Sequence, residues 1–162
     1  MTMVRDKATT AGAASKARLR LWIRLLKAQR RVEAELRERL RTEYGSTLPR
    51  FDVLSALHRS KAGLRMSELS DVLMVSNGNV TGIVDRLVED GTVVREPVDG
   101  DRRAMRVRLT DTGRSHFREL AAEHEDWVSG LFAMFDECEA EELASKLHAV
   151  TETSGREGET GK

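Results

Sequence analysis

The feature that most constrains the fold is a stretch in which two short helical patterns are joined by a tight turn. The first helix is predicted over Met66–Leu73, with Ser67 as its N-cap, and the turn lies at residues 74–76. The second is predicted over residues 77–90, where apolar side chains recur at helical spacing and share one face. That face consists of Val80, Ile83, Val84, Leu87 and Val88. Two such helices in this order predict a helix-turn-helix.

A β-hairpin is predicted directly after the second helix. Gly91 ends the helix, a strand runs from Val93 to Pro97, and Asp99-Gly100 supplies a turn signal. Residues 105–109 alternate apolar and charged side chains, which is typical of a half-buried strand. A hairpin that follows a recognition helix is a wing. The predicted tip contains Asp101, Arg102 and Arg103.

Long amphipathic helices are predicted on both sides of this segment. The composition favours them, because hydrophobic residues make up 40%, aromatic residues only 4%, and two prolines interrupt the chain. One helix is predicted from Ser15 to about residue 41, a second over 49–59, a third from the Thr110 cap, and a last over 140–151. The predicted fold class is mainly α with a small β-hairpin wing, a winged helix-turn-helix lobe on a helical dimerisation frame.

The chain divides into five predicted segments. The start is small and polar and the end is rich in Gly and Glu, so both ends are expected to be disordered. No signal-peptide pattern or membrane-length apolar run is apparent, so a cytoplasmic location is expected. The segments are a disordered arm (1–14), an N-terminal dimerisation helix (15–48), the winged lobe (49–110), C-terminal dimerisation helices (111–153) and a disordered tail (154–162).

The formal net charge is zero, but the charges are distributed unevenly. Residues 1–59 hold 14 Lys and Arg against 6 Asp and Glu, a charge of +8. Residues 60–118 hold 10 against 9, and residues 119–162 hold 3 against 12, a charge of −9. A basic front and an acidic back allow local contact with phosphate despite the neutral total.

Small polar residues open the second helix of the helix-turn-helix. A major groove admits one helix, and bulky side chains in its first turns would hold the backbone away from the base edges. Asn pairs bidentately with adenine, and free backbone N–H groups at a helix start suit phosphate. The alternative is that these residues only cap the helix, but the wing that follows favours DNA contact. The residues predicted to touch DNA are Ser76, Asn77, Gly78, Asn79, Thr81 and Arg86.

The wing tip carries the residues predicted to reach the minor groove. An arginine enters a narrow minor groove, where the negative potential is enhanced. Arg103 is placed to do so, with Asp101 two residues earlier to brace its guanidinium by a bidentate pair. Arg102 is the third predicted contact of the tip. A solvated charged turn is the alternative, and the position directly after the recognition helix favours the wing.

Over about residues 18–150 the chain resembles the MarR family of bacterial regulators. The resemblance rests on the helix-turn-helix, on the Asp101-Arg102-Arg103 wing, and on the segment Leu109-Thr110-Asp111-Thr112-Gly113-Arg114. It implies a homodimer in which the first and last helices interlock and two winged lobes meet a pseudo-palindromic DNA operator. In that family Arg103 would be the minor-groove residue and Asp101 its support.

The segment at residues 76–82, with residues 21–26 upstream, is similar to a narrower group of this family. Members of that group often control aromatic-acid catabolism and respond to aromatic acids or their coenzyme A thioesters. The resemblance implies that basic residues of the first helix, among them Arg20 and Arg31, would meet coenzyme A phosphates. A solvated helix face is the alternative. The predicted effector-binding residues are Arg18, Trp22, Arg24 and His58.

Other classes of function find less support in the residues. Catalytic Ser motifs, phosphate-binding Gly-rich loops and closely spaced His/Glu metal motifs are missing from the sequence, so no enzyme, cofactor or metal is predicted. The four histidines are dispersed, and His124 on an apolar stripe is expected to be a core residue. A metal- or redox-responsive regulator stays open, although acidic neighbours disfavour a reactive Cys138. A helical interaction module would leave the wing unexplained.

Overall fold

The computed structural model describes residues 3–98 and 101–154, with the side chains of residues 12–98 and 104–152. The described part confirms the predicted mainly helical fold with a small sheet. No helix in it is both long and apolar enough to cross a membrane. The elements are α1 (Met3–Tyr44), α2 (Leu48–Arg59), β1 (Leu64–Arg65), α3 (Met66–Leu73), α4 (Asn77–Glu89), β2 (Val93–Val98), β3 (Asp101–Leu109), α5 (Asp111–Leu131) and α6 (Glu137–Ser154).

The wing hairpin belongs to a three-stranded antiparallel sheet with the order β1-β3-β2. Strand β1 was not predicted, because two residues carry no periodic signal and their pairing with β3 is distant in sequence. Gly63 makes the approach of β1 to β3 feasible. It has a φ of +79°, and a Cβ there would lie 2.4 Å from the carbonyl oxygen of Val107.

The lobe core is built from the apolar faces of α2, α3 and α4 together with β3. Side chains from α2 meet those of α4, and the predicted apolar stripe of α4 supplies three buried residues. Val88, also predicted on that stripe, is exposed. The fully buried side chains of this core include Val53, Leu54, Leu57, Leu69, Val80, Val84, Val107 and Leu109.

Thr110 and Gly113 join the sheet to α5. The Thr110 hydroxyl donates to the carbonyl of Gly91 at 2.8 Å and accepts the N–H of Gly113 at 2.9 Å, which confirms the predicted cap. A Cβ at Gly113 would lie 1.9 Å from the Thr92 carbonyl oxygen. The helix therefore starts in contact with the strand backbone, and only glycine fits there.

One compact unit of the chain contains α1, the winged lobe and α5 as far as His124. Within it, aromatic side chains pack between α2 and the first half of α5. The Phe51 ring lies 5.6 Å from Phe117 and stacks on His124 at 4.3 Å between centroids. His124 is partly buried and packs against Phe51, in agreement with its place on the apolar stripe. A second unit begins at Glu125 and contains the end of α5 and all of α6.

Three helix starts differ from their predictions. Helix α1 begins at Met3 instead of Ser15, so the expected arm is helical over residues 3–14, which contain no proline and several alanines. Helix α3 has Arg65 as its N-cap in place of Ser67, because the Glu68 carboxylate accepts the Arg65 N–H at 2.7 Å. Reciprocal capping between Asp136 and Glu139 starts α6 at Glu137.

Near the C-terminus, α6 ends at Ser154. The rest of the predicted tail, residues 155–162, lies outside the described residues.

Candidate nucleic-acid interface

Helix α4 turns its apolar face into the lobe and its small polar face to solvent. Val80 and Val84 are fully buried, whereas Thr81 and Arg86 on the other side are exposed. The first turn is exposed on its whole outer surface, from Ser76 through Asn79. The predicted contact residues of this helix therefore form one continuous accessible face.

The start of α4 leaves its backbone N–H groups open. Ser76 has the extended conformation of an N-cap but makes no side-chain cap hydrogen bond within the described part of the chain. The first intrahelical bond runs from the N–H of Val80 to the carbonyl of Ser76 at 3.2 Å. The preceding N–H groups, at residues 77–79, meet solvent at the positive end of the helix dipole. Such a helix end attracts a phosphate oxygen.

The two asparagines of the first turn are in different situations. The Ser70 hydroxyl donates to Oδ1 of Asn77 at 2.5 Å, which joins α4 to α3 and engages the oxygen that a bidentate pair with adenine would need. Asn79 has no side-chain hydrogen bond to any described residue and lines an open groove. Of the two, Asn79 is the one free to pair with a base.

Gly78 and Gly82 lie one helical turn apart on the exposed face. A Cβ built at either position would meet no atom within 4 Å, and neither glycine has a positive φ. Packing and backbone geometry therefore do not require glycine at these positions. In a helix interior glycine costs about 1 kcal/mol relative to alanine. The two glycines therefore lower the stability of the helix, and the smooth outer surface that they create has no role in the packing of the folded chain.

An open groove of about 560 Å³ runs between the start of α2 and this face of α4. Arg50, which the sequence interpretation missed, lies on one side of the groove and forms an ion pair with Asp90 at 3.2 Å. Arg86 lies on the other side, and no carboxylate of the described residues is within salt-bridge distance of it. The only sequence signal for Arg50 is its place in the first turn of α2. The groove is lined by Gly45, Thr47, Arg50, Asn79, Gly82, Ile83 and Arg86.

One ion pair joins the wing to the recognition helix, and another joins the two strands of the wing. Arg95 of β2 contacts Asp85 of α4 at 2.5 Å. Arg108 of β3 donates to the Glu96 carboxylate across the hairpin, and this hydrogen bond lowers the pKa of Glu96. The backbone of Asp101, Arg102 and Arg103 belongs to β3, but their side chains lie outside the described residues. The predicted pairing of Asp101 with Arg103 therefore stays a prediction.

The predicted effector residues lie on two separate helices. Arg18, Trp22 and Arg24 are exposed on α1. His58 lies on α2, its ring 4.9 Å from that of Phe117, and its buried Nδ1 has no hydrogen-bond partner among the described residues. A buried ring nitrogen without a partner is the sort of group that a water or a ligand satisfies. His58 and these three residues therefore lie on different helices.

Cys138 is exposed at the start of α6 and lies among Asp136, Glu137 and Glu141. Within the described residues, no group of three or more His, Cys, Asp or Glu side chains is arranged to hold a metal ion.

Comparison with known proteins gives one consistent result. A profile of the MarR family matches residues 44–104, which span the helix-turn-helix and most of the wing. The HTH-type transcriptional regulator PecS of Dickeya dadantii strain 3937 is 31% identical over 111 residues, 67% of this chain and 67% of PecS. The crystal structure of a MarR family transcriptional regulator from Silicibacter pomeroyi is 30% identical with a TM-score of 0.73, covering 87% of this chain and 97% of that one.

A further similar structure contains DNA. It is Sco3205, a MarR family transcriptional regulator from Streptomyces coelicolor, in complex with DNA. The two chains are 27% identical with a TM-score of 0.74, covering 82% of this chain and 84% of Sco3205. All three of these proteins are transcriptional regulators.

Proposed function

The chain belongs to the MarR family of DNA-binding transcriptional regulators, and on that premise we propose that it is a homodimeric repressor. Each dimer would place two α4 helices in successive major grooves of a pseudo-palindromic operator, roughly 34–36 Å apart. A small aromatic acid, or its coenzyme A thioester, would release the operator. The regulated genes would then serve the catabolism of that aromatic compound.

The outer face of α4 is the observation that carries this proposal. It combines an uncapped helix start, the unengaged amide of Asn79 and two glycines that nothing inside the chain requires. A DNA groove explains all three, because it offers phosphates to the N–H groups, base edges to the amide, and close contact to a smooth helix. Arg50 and Arg86 would meet backbone phosphates on either side of the groove.

The homodimer is supported by exposed apolar side chains on the outer helices. Leu19, Trp22 and Ile23 are exposed on α1, and Phe132, Met134 and Phe135 are exposed around the end of α5. Residues 12–31 carry seven Lys and Arg and no acid, whereas α6 carries five Glu and one Lys. Opposite charges beside exposed apolar surface suit the packing of α1 from one copy against α6 of another.

The effector proposal combines the exposed residues of α1 with His58 of α2. Arginines at residues 18 and 24 suit a carboxylate or phosphate, Trp22 offers a stacking surface, and His58 Nδ1 is a buried atom in need of a partner. A ligand that engages both groups would bind between the helical frame and the winged lobe. It would act by binding one lobe spacing more tightly than the other, because equal affinity for both spacings shifts no equilibrium.

Fluorescence anisotropy with DNA from the gene's own upstream region tests the proposal. The purified full chain is titrated at several salt concentrations, with unrelated DNA as competitor, and then with a panel of aromatic acids and their coenzyme A thioesters. We expect tight binding that weakens steeply with salt, that unrelated DNA competes poorly, and that one panel member abolishes. Transcription in vitro from the same region is expected to rise when that compound is added.

Each arm of this experiment has its own negative outcome. Binding that no panel member disturbs would contradict the effector class and leave the regulator in place. A rise in transcription on adding the protein alone would contradict the repressor. Equal affinity for upstream and unrelated DNA would contradict the operator-binding role of the α4 face.

A further inference from the structure

Met74, the residue that closes α3, combines a left-handed backbone with an exposed side chain. Its φ is +53°, and among the described residues it is the only one other than glycine with a positive φ. The N–H of Met74 bonds to the carbonyl of Asp71, and the N–H of Val75 bonds to that of Ser70, each at 3.2 Å. This pattern is a helix C-cap that glycine occupies without strain and that other residues occupy at a cost in free energy.

No packing of the Met74 side chain within the folded lobe compensates for this strain. Its side chain is 92% exposed, the largest exposed fraction among the exposed large hydrophobic residues. It therefore buries almost no apolar surface and makes no packing contribution to the lobe. Glycine at this position would relieve the backbone strain, and a polar residue would suit the solvent better. A strained residue that the fold itself does not use points to a contact outside the chain.

The position of Met74 indicates which contact that is. It lies two residues before Ser76, the N-cap of α4, and Val75 between them is also exposed, at 40%. This apolar pair directly precedes the exposed small polar residues of the α4 start, whose face the proposed function places in the major groove. The one apolar group that base edges present in that groove is the C5-methyl of thymine.

We propose that the Met74 side chain packs against thymine methyl groups at the edge of each operator half-site and selects thymine there. The inference rests on the proposed DNA-binding role of α4 and adds a specificity determinant that makes no hydrogen bond. The unbranched, polarisable methionine side chain adapts its shape to such a contact more easily than a branched one. Hydrogen-bond readout by Asn79 and apolar readout by Met74 would then act on neighbouring base pairs.

A double-mutant cycle between protein and DNA tests this contact. The wild-type chain and Met74→Ala are titrated with upstream-region DNA in which single thymines of the bound site are replaced by deoxyuridine, which removes only the C5-methyl. Alanine keeps the strained backbone position and deletes the side chain beyond Cβ. Val88→Ala, which truncates an exposed residue near the other end of α4, is the matched control.

We expect the two changes to remove the same contact, so their effects on DNA affinity should not add. Met74→Ala lowers affinity about 5- to 10-fold, deoxyuridine at one position of each half-site lowers wild-type affinity by a similar factor, and the two changes together cost no more than either alone. Val88→Ala binds as wild type does. Met74→Gly is expected to lower affinity in the same way while raising the thermal midpoint of unfolding, which separates loss of contact from loss of fold.

Two results would overturn the inference by itself. Wild-type affinity in both Met74 variants would show that this side chain makes no contact with DNA that contributes to binding. Losses that multiply in the double change would show that Met74 and the methyl groups act independently. If the wild-type chain binds no DNA specifically, the proposed function fails first and this inference falls with it.

Discussion

The winged lobe and the outer helices, α1 and α6 with the end of α5, differ in how far their apolar side chains are buried. In the lobe, Leu57, Val84 and Val107 are completely buried within one chain. On α1, Leu21 is 54% exposed and Trp22 57%, and Met134, in the turn between α5 and α6, is 71% exposed. The lobe therefore completes its own core, whereas the outer helices retain apolar surface that a soluble monomer seldom exposes in such quantity. This contrast fits the proposal that the lobe presents DNA-binding groups and that the outer helices associate with a second copy.

Ion pairs divide along the same line. In the lobe they join separate elements, as Arg95 joins β2 to Asp85 of α4 and Arg50 joins α2 to Asp90. On α1 and α6 they join residues one turn apart on the same helix, such as Glu142 and Lys146. Exposed pairs of either kind contribute little to stability, but those of the lobe join residues that are distant in sequence.

The largest expected effect comes from shortening one leucine in each region. Leu57→Ala removes a fully buried side chain and is expected to lower the free energy of unfolding by about 2–5 kcal/mol at every protein concentration. Leu21→Ala is expected to destabilise only through association, so its effect should vanish on dilution. Urea unfolding at a series of protein concentrations measures both. Equal, concentration-independent losses would mean that the two regions do not differ.

Placing a charge on the exposed face of α1 is expected to separate the two regions functionally. Trp22→Asp should give a folded monomer, and operator affinity should fall by about 100-fold or more because one lobe loses the contribution of the other. Sedimentation and DNA anisotropy are the measurements, and Trp22→Phe serves as a control that preserves the apolar contact. A variant that remains dimeric would remove α1 from the proposed interface.

A smaller effect is expected from a single phosphate contact. Arg86→Ala should weaken DNA binding about 3- to 10-fold for all sequences and reduce the slope of log affinity against log salt by roughly 1. Arg118→Ala, which removes an exposed arginine from α5, should change neither quantity. Anisotropy titrations across salt concentrations give both numbers. An unchanged slope for Arg86→Ala would place this guanidinium away from the phosphates.

The smallest expected effect is the pH dependence of the lobe. Burial against Phe51 lowers the pKa of His124 below its ordinary value of 6.5. The unfolded chain therefore binds a proton more readily. The contribution of neutral His124 to the free energy of unfolding is fully present above pH 6.5 and is lost as the pH falls through the lowered pKa. Thermal unfolding between about pH 8 and pH 5 should show this loss, and His124→Leu should reduce it. An identical pH profile in the variant would contradict the assignment to His124.

Local sequence signals predicted the parts of the fold that depend on local spacing. The two helices of the helix-turn-helix, the wing strands and the Thr110 cap follow from periodicity and from residues close in sequence. Strand β1 and the packing of α2 on α5 were missed, because they join residues more than forty positions apart. The start of α1 was missed because a small, polar composition suggested disorder where alanines without proline permit a helix.

In the candidate site, too, features that depend on local spacing were predicted and features that depend on three-dimensional arrangement were not. The accessible face of α4 follows from its helical period, so its residues were predicted from sequence alone. The bond from Ser70 to Asn77, the groove shared by Arg50 and Arg86, and the left-handed Met74 depend on three-dimensional arrangement. Sequence spacing identified which residues face outward but not which of them were already engaged.

Gly82→Ala tests most directly whether the outer face of α4 is shaped for DNA. We predict that the variant unfolds at a higher temperature, because its free energy of unfolding rises by up to about 1 kcal/mol. We also predict that it binds operator DNA at least about tenfold more weakly. Gly12→Ala, the same change on an exposed position of α1, should stabilise the chain without lowering DNA affinity. A Gly82→Ala variant that is more stable and binds DNA as well as wild type would contradict the account.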